Sequence, residues 1–136
     1  MFYLNENVRK LNRIFDGNER GGFLRLDLNE NPGGFSQELI DEILKGVDTE
    51  FLSKYPETDG FQRRLADYNG VKYDEIVLTN GSAEAIRHAI EAFSREDGEI
   101  ISVSPAYAMY EIFSNMYGRK FTPITYKNTF QFDIDD

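Results

Sequence analysis

The sequence has no cysteine and no tryptophan, and only one histidine, His88. Without cysteine there are no disulfides and no thiolate metal sites, which fits a reducing compartment. One histidine among scattered carboxylates does not supply the ligand spacing of a metal centre. Basic residues are the minority charge: 15 Lys and Arg against 24 Asp and Glu leave a net charge of -9. Nucleic-acid binding is excluded as a main role, because a phosphate backbone demands a basic face. No apolar run approaches the roughly 20 residues that span a bilayer. The polar residues Asn5, Glu6, Arg9 and Lys10 break up any leader-like apolar stretch after Met1. The expectation is a cytoplasmic protein whose core leans on its 11 Phe and 8 Tyr. Its 136 residues are enough for one modest hydrophobic core.

The chain is organised around Ile76–Phe93. Ile76, Val77 and Leu78 read as a short buried strand. Asn80-Gly81 breaks it. Ser82 is placed to cap a helix, in which Ala85, Ile86, Ala89, Ile90 and Phe93 recur at helical spacing. A strand entering a helix through small residues leaves backbone N–H groups at the positive end of the helix dipole, where an anion can be held. From these residues alone, an ordinary capped helix and an anion site both stand.

Around this centre the pattern alternates. Residues 1–15 suggest a short amphipathic helix, with Val8, Leu11 and Phe15 on one side. Residues 23–28 alternate as an extended segment with a half-buried face, and Asn29 to Gly34 is a turn-forming cluster. Ser36 caps a helix carrying Leu39, Ile40, Ile43 and Leu44, and Pro56 holds Tyr55 extended. Asp59 caps the next helix, with Phe61, Leu65 and Tyr68 on one face, ending at Asn69-Gly70. After the central helix come a strand at Ile100–Val103, a helix over Tyr107–Tyr117 and a strand over Lys120–Ile124. This order argues for an α/β domain with three parallel strands, whose ligands sit beyond the carboxyl ends of the strands. Asn80-Gly81-Ser82 and Ser104-Pro105-Ala106-Tyr107 both fall at such ends. The final residues, Phe130 to Asp136, place carboxylates where another helix would begin, so the chain is expected to be part of a longer one.

Four short segments stand in one order: Leu28-Asn29-Glu30-Asn31-Pro32, Tyr55-Pro56, Asn80-Gly81-Ser82-Ala83-Glu84, and Pro105-Ala106-Tyr107-Ala108-Met109-Tyr110. Each is too short to decide anything. Their order and intervals resemble the N-terminal part of a class I/II aminotransferase of pyridoxal phosphate (PLP) fold type I, most similar to the histidinol-phosphate aminotransferase branch. The resemblance covers residues 23–136. It implies an incomplete three-layer α/β/α large domain with an N-terminal helical arm. Residues 1–34 would be the arm and a small-domain segment, and 35–136 the first part of the cofactor-binding domain.

The resemblance also implies roles. Gly81, Ser82 and Ala83 would hold the phosphate of pyridoxal 5'-phosphate through N–H groups and the Ser82 hydroxyl. Family members commonly carry an acidic residue where this chain has Ala83, so a side-chain role there is lost. Tyr107 would stack on the pyridine ring; residue chemistry alone favours a packing ring on the first turn of a helix. Tyr55 would reach the cofactor phosphate of a second subunit in a homodimer. Asn29 would lie over the substrate, or serve only the turn before Pro32. Asn31 reads as structural.

The resemblance places the lysine that carries the cofactor, the carboxylate on its ring nitrogen and the substrate-binding arginine beyond residue 136. None of Lys10, Lys45, Lys54, Lys72, Lys120 and Lys127 has the sequence context of that lysine, so no catalytic residue is assigned in this chain. His88, Arg63, Arg64 and Arg87 read as solvated helix residues. The implied activity is amino-group transfer between an amino acid and a keto acid or phosphorylated ketone. A PLP-dependent decarboxylase of a phosphorylated amino acid shares these motifs. A non-catalytic flavodoxin-like module is the reading from another class. There is no Gly-x-Gly-x-x-Gly and no Walker Gly-Lys-Ser.

Overall fold

A computed structural model describes residues 3–11, 20–24, 26 and 28–126. The chain divides into two compact units, Met1–Ile14 with Leu78–Asp136, and Phe15–Val77.

The first unit holds helix α1 (Glu6–Arg9) and the order α5 (Ser82–Phe93), β1 (Glu99–Ser104), α6 (Met109–Met116) and β2 (Lys120–Thr125). The strands pair in parallel, with Glu99 opposite Lys120 and Ser104 opposite Thr125. Parallel neighbours need a crossover, and α6 supplies it. The core is Ile90, Met109 and Phe113, joined by Ala83, Ile86, Ile100, Ile112, Met116 and Tyr117. Ala83, Ile86 and Ile90 lie at i, i+3 and i+7, so one stripe of α5 meets α6. Phe93, on the same helix, is 91% exposed. At the other end of α6, Gly118 has a left-handed φ of 69°, and a Cβ there would stand 2.9 Å from Asn7 Nδ2 on α1. The left-handed backbone favours glycine, whereas the Asn7 amide, at the end of a flexible side chain, could shift to make room.

The second unit is helical: α2 (Gln37–Leu44), α3 (Thr49–Ser53), α4 (Asp59–Asn69) and two single 3-10 turns, Arg20–Gly22 and Tyr73–Glu75. Ser36 caps α2 by accepting from the Leu39 N–H, as its position in the sequence suggests. Helix α3 was not foreseen. Asp48 caps it by accepting from the Phe51 N–H at 2.7 Å, and an Asp followed by Thr-Glu was the available signal.

Several expectations are corrected. Ile76–Leu78 is not a strand: Ile76 has extended dihedrals, but the sheet among the described residues has only β1 and β2. Its carbonyl accepts from Gln62 Nε2 at 2.9 Å, a side-chain bond where a strand would have a ladder. The covered face of α4 is Gln62, Leu65 and Ala66, because residues 73–76 fold back on it; Phe61 and Tyr68 are exposed. Asp59 is the first residue of α4 rather than its cap, and its carboxylate accepts from the Tyr73 hydroxyl. Phe23, Leu24, Leu26 and Leu28 are all exposed, so the half-buried face is not seen; Arg25 and Asp27 lie outside the described residues. Of the expected N-terminal helix only Glu6–Arg9 forms among the described residues, and Phe15 lies outside them.

Candidate functional site

The lengths of the elements bring two helix starts to one end of the strand pair. Helix α5 returns into β1 through residues 94–98. Twelve helical residues rise about 18 Å and six strand residues about 20 Å, so α5 begins beside the carboxyl end of β1. Helix α6 leaves that same end. The starts of α5 and α6 therefore share the end of the sheet where open α/β folds bind ligands. Ala83 and Met109, one from each first turn, belong to the same cluster.

At the start of α5 the structure moves the cap by one residue. Gly81, not Ser82, is the N-cap, with φ 82° and ψ 176°. Only glycine adopts that conformation readily. It follows a tight turn in which the Gly81 N–H donates to the Thr79 carbonyl at 2.8 Å. Ser82 is already helical, so its hydroxyl is not used as a cap. Among the described residues, no backbone oxygen takes the N–H of Ser82 or Ala83, and no side chain caps the helix. Two donors and a hydroxyl thus stand free at the positive end of a twelve-residue helix. This is the chemistry an anion needs, and it fits a phosphate.

One residue of this turn was missed from sequence. Glu84 Oε2 accepts from the Asn80 backbone N–H at 2.6 Å and from Asn80 Nδ2 at 2.9 Å. Its other oxygen faces Arg87 at 3.6 Å and His88 at 3.7 Å. The Asn80 N–H, then the Asn80 amide and the two basic side chains, hold the Glu84 carboxyl below its ordinary range, against a smaller opposing effect of burial. An acid in the first turn, three residues after the cap, was the signal.

At the start of α6, β1 ends at Ser104, the Ser104–Pro105 peptide is cis, and Tyr107 precedes the helix. Tyr107 is not on the first turn. The residue is 48% exposed, outside the Ile90–Met109–Phe113 core. An apolar groove of about 490 Å³ runs along α5 and β1 past Ala89, Phe93 and Ile101. Neither Ser82 nor Tyr107 lines it.

The remaining candidates lie in the other unit. Asn29 has a left-handed φ of 54°, which asparagine tolerates better than most residues. Asn31 is spent on the turn: it accepts from the Gly33 N–H and donates to the Gly34 carbonyl. Tyr55 is 97% exposed. Lys54 pairs with Glu50. Back in the first unit, His88 is exposed beside Glu84. Among the described residues no group of His, Asp or Glu could hold a metal, and no helix is long and apolar enough to cross a membrane.

Helices packed around a parallel strand pair define an α/β architecture. The sequence family described as aminotransferase class I and II matches residues 22–136. The chain belongs to that family, whose members work with pyridoxal 5'-phosphate. It is 32% identical over 115 residues to histidinol-phosphate aminotransferase 1 of Carboxydothermus hydrogenoformans, covering 83% of this chain and 33% of that one. It is 31% identical over 123 residues to histidinol-phosphate aminotransferase of Pyrococcus furiosus, covering 89% of this chain and 35% of that one. A crystal structure of an Erwinia carotovora atroseptica protein assigned as a histidinol-phosphate aminotransferase superposes with a TM-score of 0.68 at 28% identity. That match covers 79% of this chain and 31% of the other. The chain spans about a third of the length of the curated relatives it matches.

Proposed function

We propose that this chain carries the phosphate cradle and ring shelf of a pyridoxal phosphate-dependent aminotransferase of the histidinol-phosphate type. The observation that carries the reading is the start of α5, where the N–H groups of Ser82 and Ala83 and the Ser82 hydroxyl stand free beside the start of α6. When bound, the cofactor supplies an electron sink for chemistry at the α-carbon of an amino acid. The chain's own residues bind and orient it. Ser82 and Ala83 donate to the phosphate, and the left-handed Gly81 keeps those donors aimed outward. Tyr107 lies against the pyridine ring and keeps water off that face. Tyr55 reaches the phosphate bound by the second subunit of a homodimer, and Asn29 covers the substrate.

In this reading residues 1–34 form a helical arm and small-domain segment. Residues 35–136 begin a three-layer large domain. The lysine that carries the cofactor comes from polypeptide outside residues 1–136. The whole enzyme is cytoplasmic and transfers an amino group between an amino acid and a keto acid or phosphorylated ketone. The names of the relatives and the match over residues 22–136 support this assignment.

The test is an assay of the complete reading frame containing residues 1–136, with glutamate as donor and imidazole-acetol phosphate as acceptor. Formation of 2-oxoglutarate in step with histidinol phosphate is expected. Release of carbon dioxide from a phosphorylated amino acid, without amino transfer, would overturn it in favour of a decarboxylase.

A further inference from the structure

Glu84 is an unexpected neighbour for an anion cradle. A carboxylate in the first turn of α5 favours the helix itself, because it faces the positive end of the dipole. Towards a phosphate at the same helix end it is repulsive. Its position decides which effect matters. One oxygen is committed to Asn80, taking both the backbone N–H and the side-chain amide. The other faces Arg87 and His88. The negative charge is therefore turned away along the helix and offset by a cation, while the hydrogen bonds run back into the turn.

That turn sets the direction of the cradle. Asn80 is the middle residue between the Thr79 carbonyl and the Gly81 N–H, and the Thr79 hydroxyl donates to the Gly81 carbonyl at 3.0 Å. Gly81 has open space around the position of a Cβ, so side-chain crowding does not hold it in place. The described bonds on Thr79 and the Glu84 clamp on Asn80 are what hold it.

We infer that Glu84 is a positioning residue, whose carboxylate fixes the Asn80–Gly81 turn and so aims the Ser82 and Ala83 N–H groups at the cofactor phosphate. This rests on the phosphate-cradle reading above. It goes beyond that reading by assigning control of the cradle to a side chain that does not touch the ligand.

The experiment compares the complete protein with E84Q and E84A, and reads affinity for pyridoxal 5'-phosphate against pyridoxal, which lacks the phosphate. Glutamine can still accept from Asn80 and alanine cannot. The preference for the phosphorylated form should fall about tenfold in E84A, the scale of a lost charge-assisted hydrogen bond. It should stay within about threefold in E84Q. Amide exchange at Asn80 should accelerate in E84A while exchange in the middle of α5 is unchanged. An unchanged or increased phosphate preference in E84A would overturn the inference, showing that repulsion outweighs positioning. Equal losses in E84Q and E84A would overturn it too, since acceptor geometry would then be irrelevant. A wild-type protein with no phosphate preference would instead sink the cradle reading, and this role with it.

Discussion

Arg119 Nε donates to Ser94 Oγ at 2.9 Å, and another nitrogen of the same guanidinium donates to the Ser94 carbonyl at 3.2 Å. Ser94 is the C-cap of α5. The third nitrogen donates to the Tyr117 carbonyl at 2.7 Å, and Tyr117 is the C-cap of α6. One half-buried cation thus ties together the negative ends of both helices that border the candidate site. A planar fork with donors in fixed directions suits this task, and an ammonium does not.

Arg119→Ala should therefore destabilise the first unit by about 1.5–3 kcal/mol, the range for hydrogen bonds to a charged group. Arg119→Lys should recover less than half of the loss. Urea unfolding followed by far-ultraviolet circular dichroism measures both. A lysine variant as stable as the parent would show that charge alone suffices.

Phe113 and Phe93, both in this unit, should behave oppositely. Phe113 is buried against Ile90 and Met109, whereas Phe93 is almost fully exposed. Phe113→Ala should cost about 3–5 kcal/mol. Phe93→Ala, made in this 136-residue chain, should stay within about 0.5 kcal/mol. The same unfolding measurement separates them. Helical spacing groups Phe93 with Ile86 and Ile90, so only the structure distinguishes them.

That contrast shows what could be read in advance. The order α5–β1–α6–β2 was legible because each element is a short apolar run or stripe closed by Asp97-Gly98, Pro105 or Gly118. Ser36 was legible as a cap because capping is local. Ile76–Leu78 was not, because β-branched apolar residues fit both a paired strand and an extended link. The α4 face was misjudged because Gln62 and Arg63 are recruited by Tyr73, a tertiary contact with no trace in the pattern of residues 59–69. At the site, Gly81 and Ser82 stood out as small residues at a strand–helix junction. Glu84 did not, because its importance lies in a hydrogen bond directed back to Asn80.

Acid should weaken the strand pair. Glu99 on β1 accepts from Lys120 Nζ at 2.6 Å and from the Thr122 hydroxyl on β2. The Lys120 bond first, then Thr122, lowers its carboxyl below the ordinary 4.5. A group lowered on folding adds stability that is present above the unfolded value and lost as pH falls through the folded one. Stability should drop on the acid side of pH 4.5, and Glu99→Gln should flatten that slope while lowering stability at neutral pH. On the alkaline side Tyr117 is raised, by burial first and then by its bond to Glu91. Its contribution is present below the unfolded value of 10.0 and fades as pH rises through the folded one. Unfolding curves between pH 3 and pH 11 test both signs, on the scale of ordinary side-chain values.

Gly81→Ala tests the cradle without emptying it of donors. No heavy atom would crowd the new Cβ, so any effect is conformational. Holding alanine at this backbone geometry costs about 1–3 kcal/mol. The turn should relax instead, and the N–H groups of Ser82 and Ala83 should lose their common direction. Affinity for inorganic phosphate and for pyridoxal 5'-phosphate should both fall, with the helical circular dichroism of α5 retained. Ser82→Ala removes only the hydroxyl and should weaken both ligands less.

Tyr107 separates the ring from the phosphate. It sits ahead of α6, half exposed, and the core closes without it. Tyr107→Ala should therefore leave stability within about 0.5 kcal/mol, as for other exposed positions away from caps and packing. If its ring covers the pyridine, the same variant should weaken binding of pyridoxal as well as of pyridoxal 5'-phosphate. Inorganic phosphate has no ring to cover and should bind as before. Tyr107→Phe keeps the aromatic face and should retain most of the affinity for both pyridoxal forms, since stacking depends on the ring rather than the hydroxyl. Comparing the three ligands across the two variants in the complete protein tests the shelf. Loss of phosphate binding alone in Tyr107→Ala would assign the residue to the cradle instead.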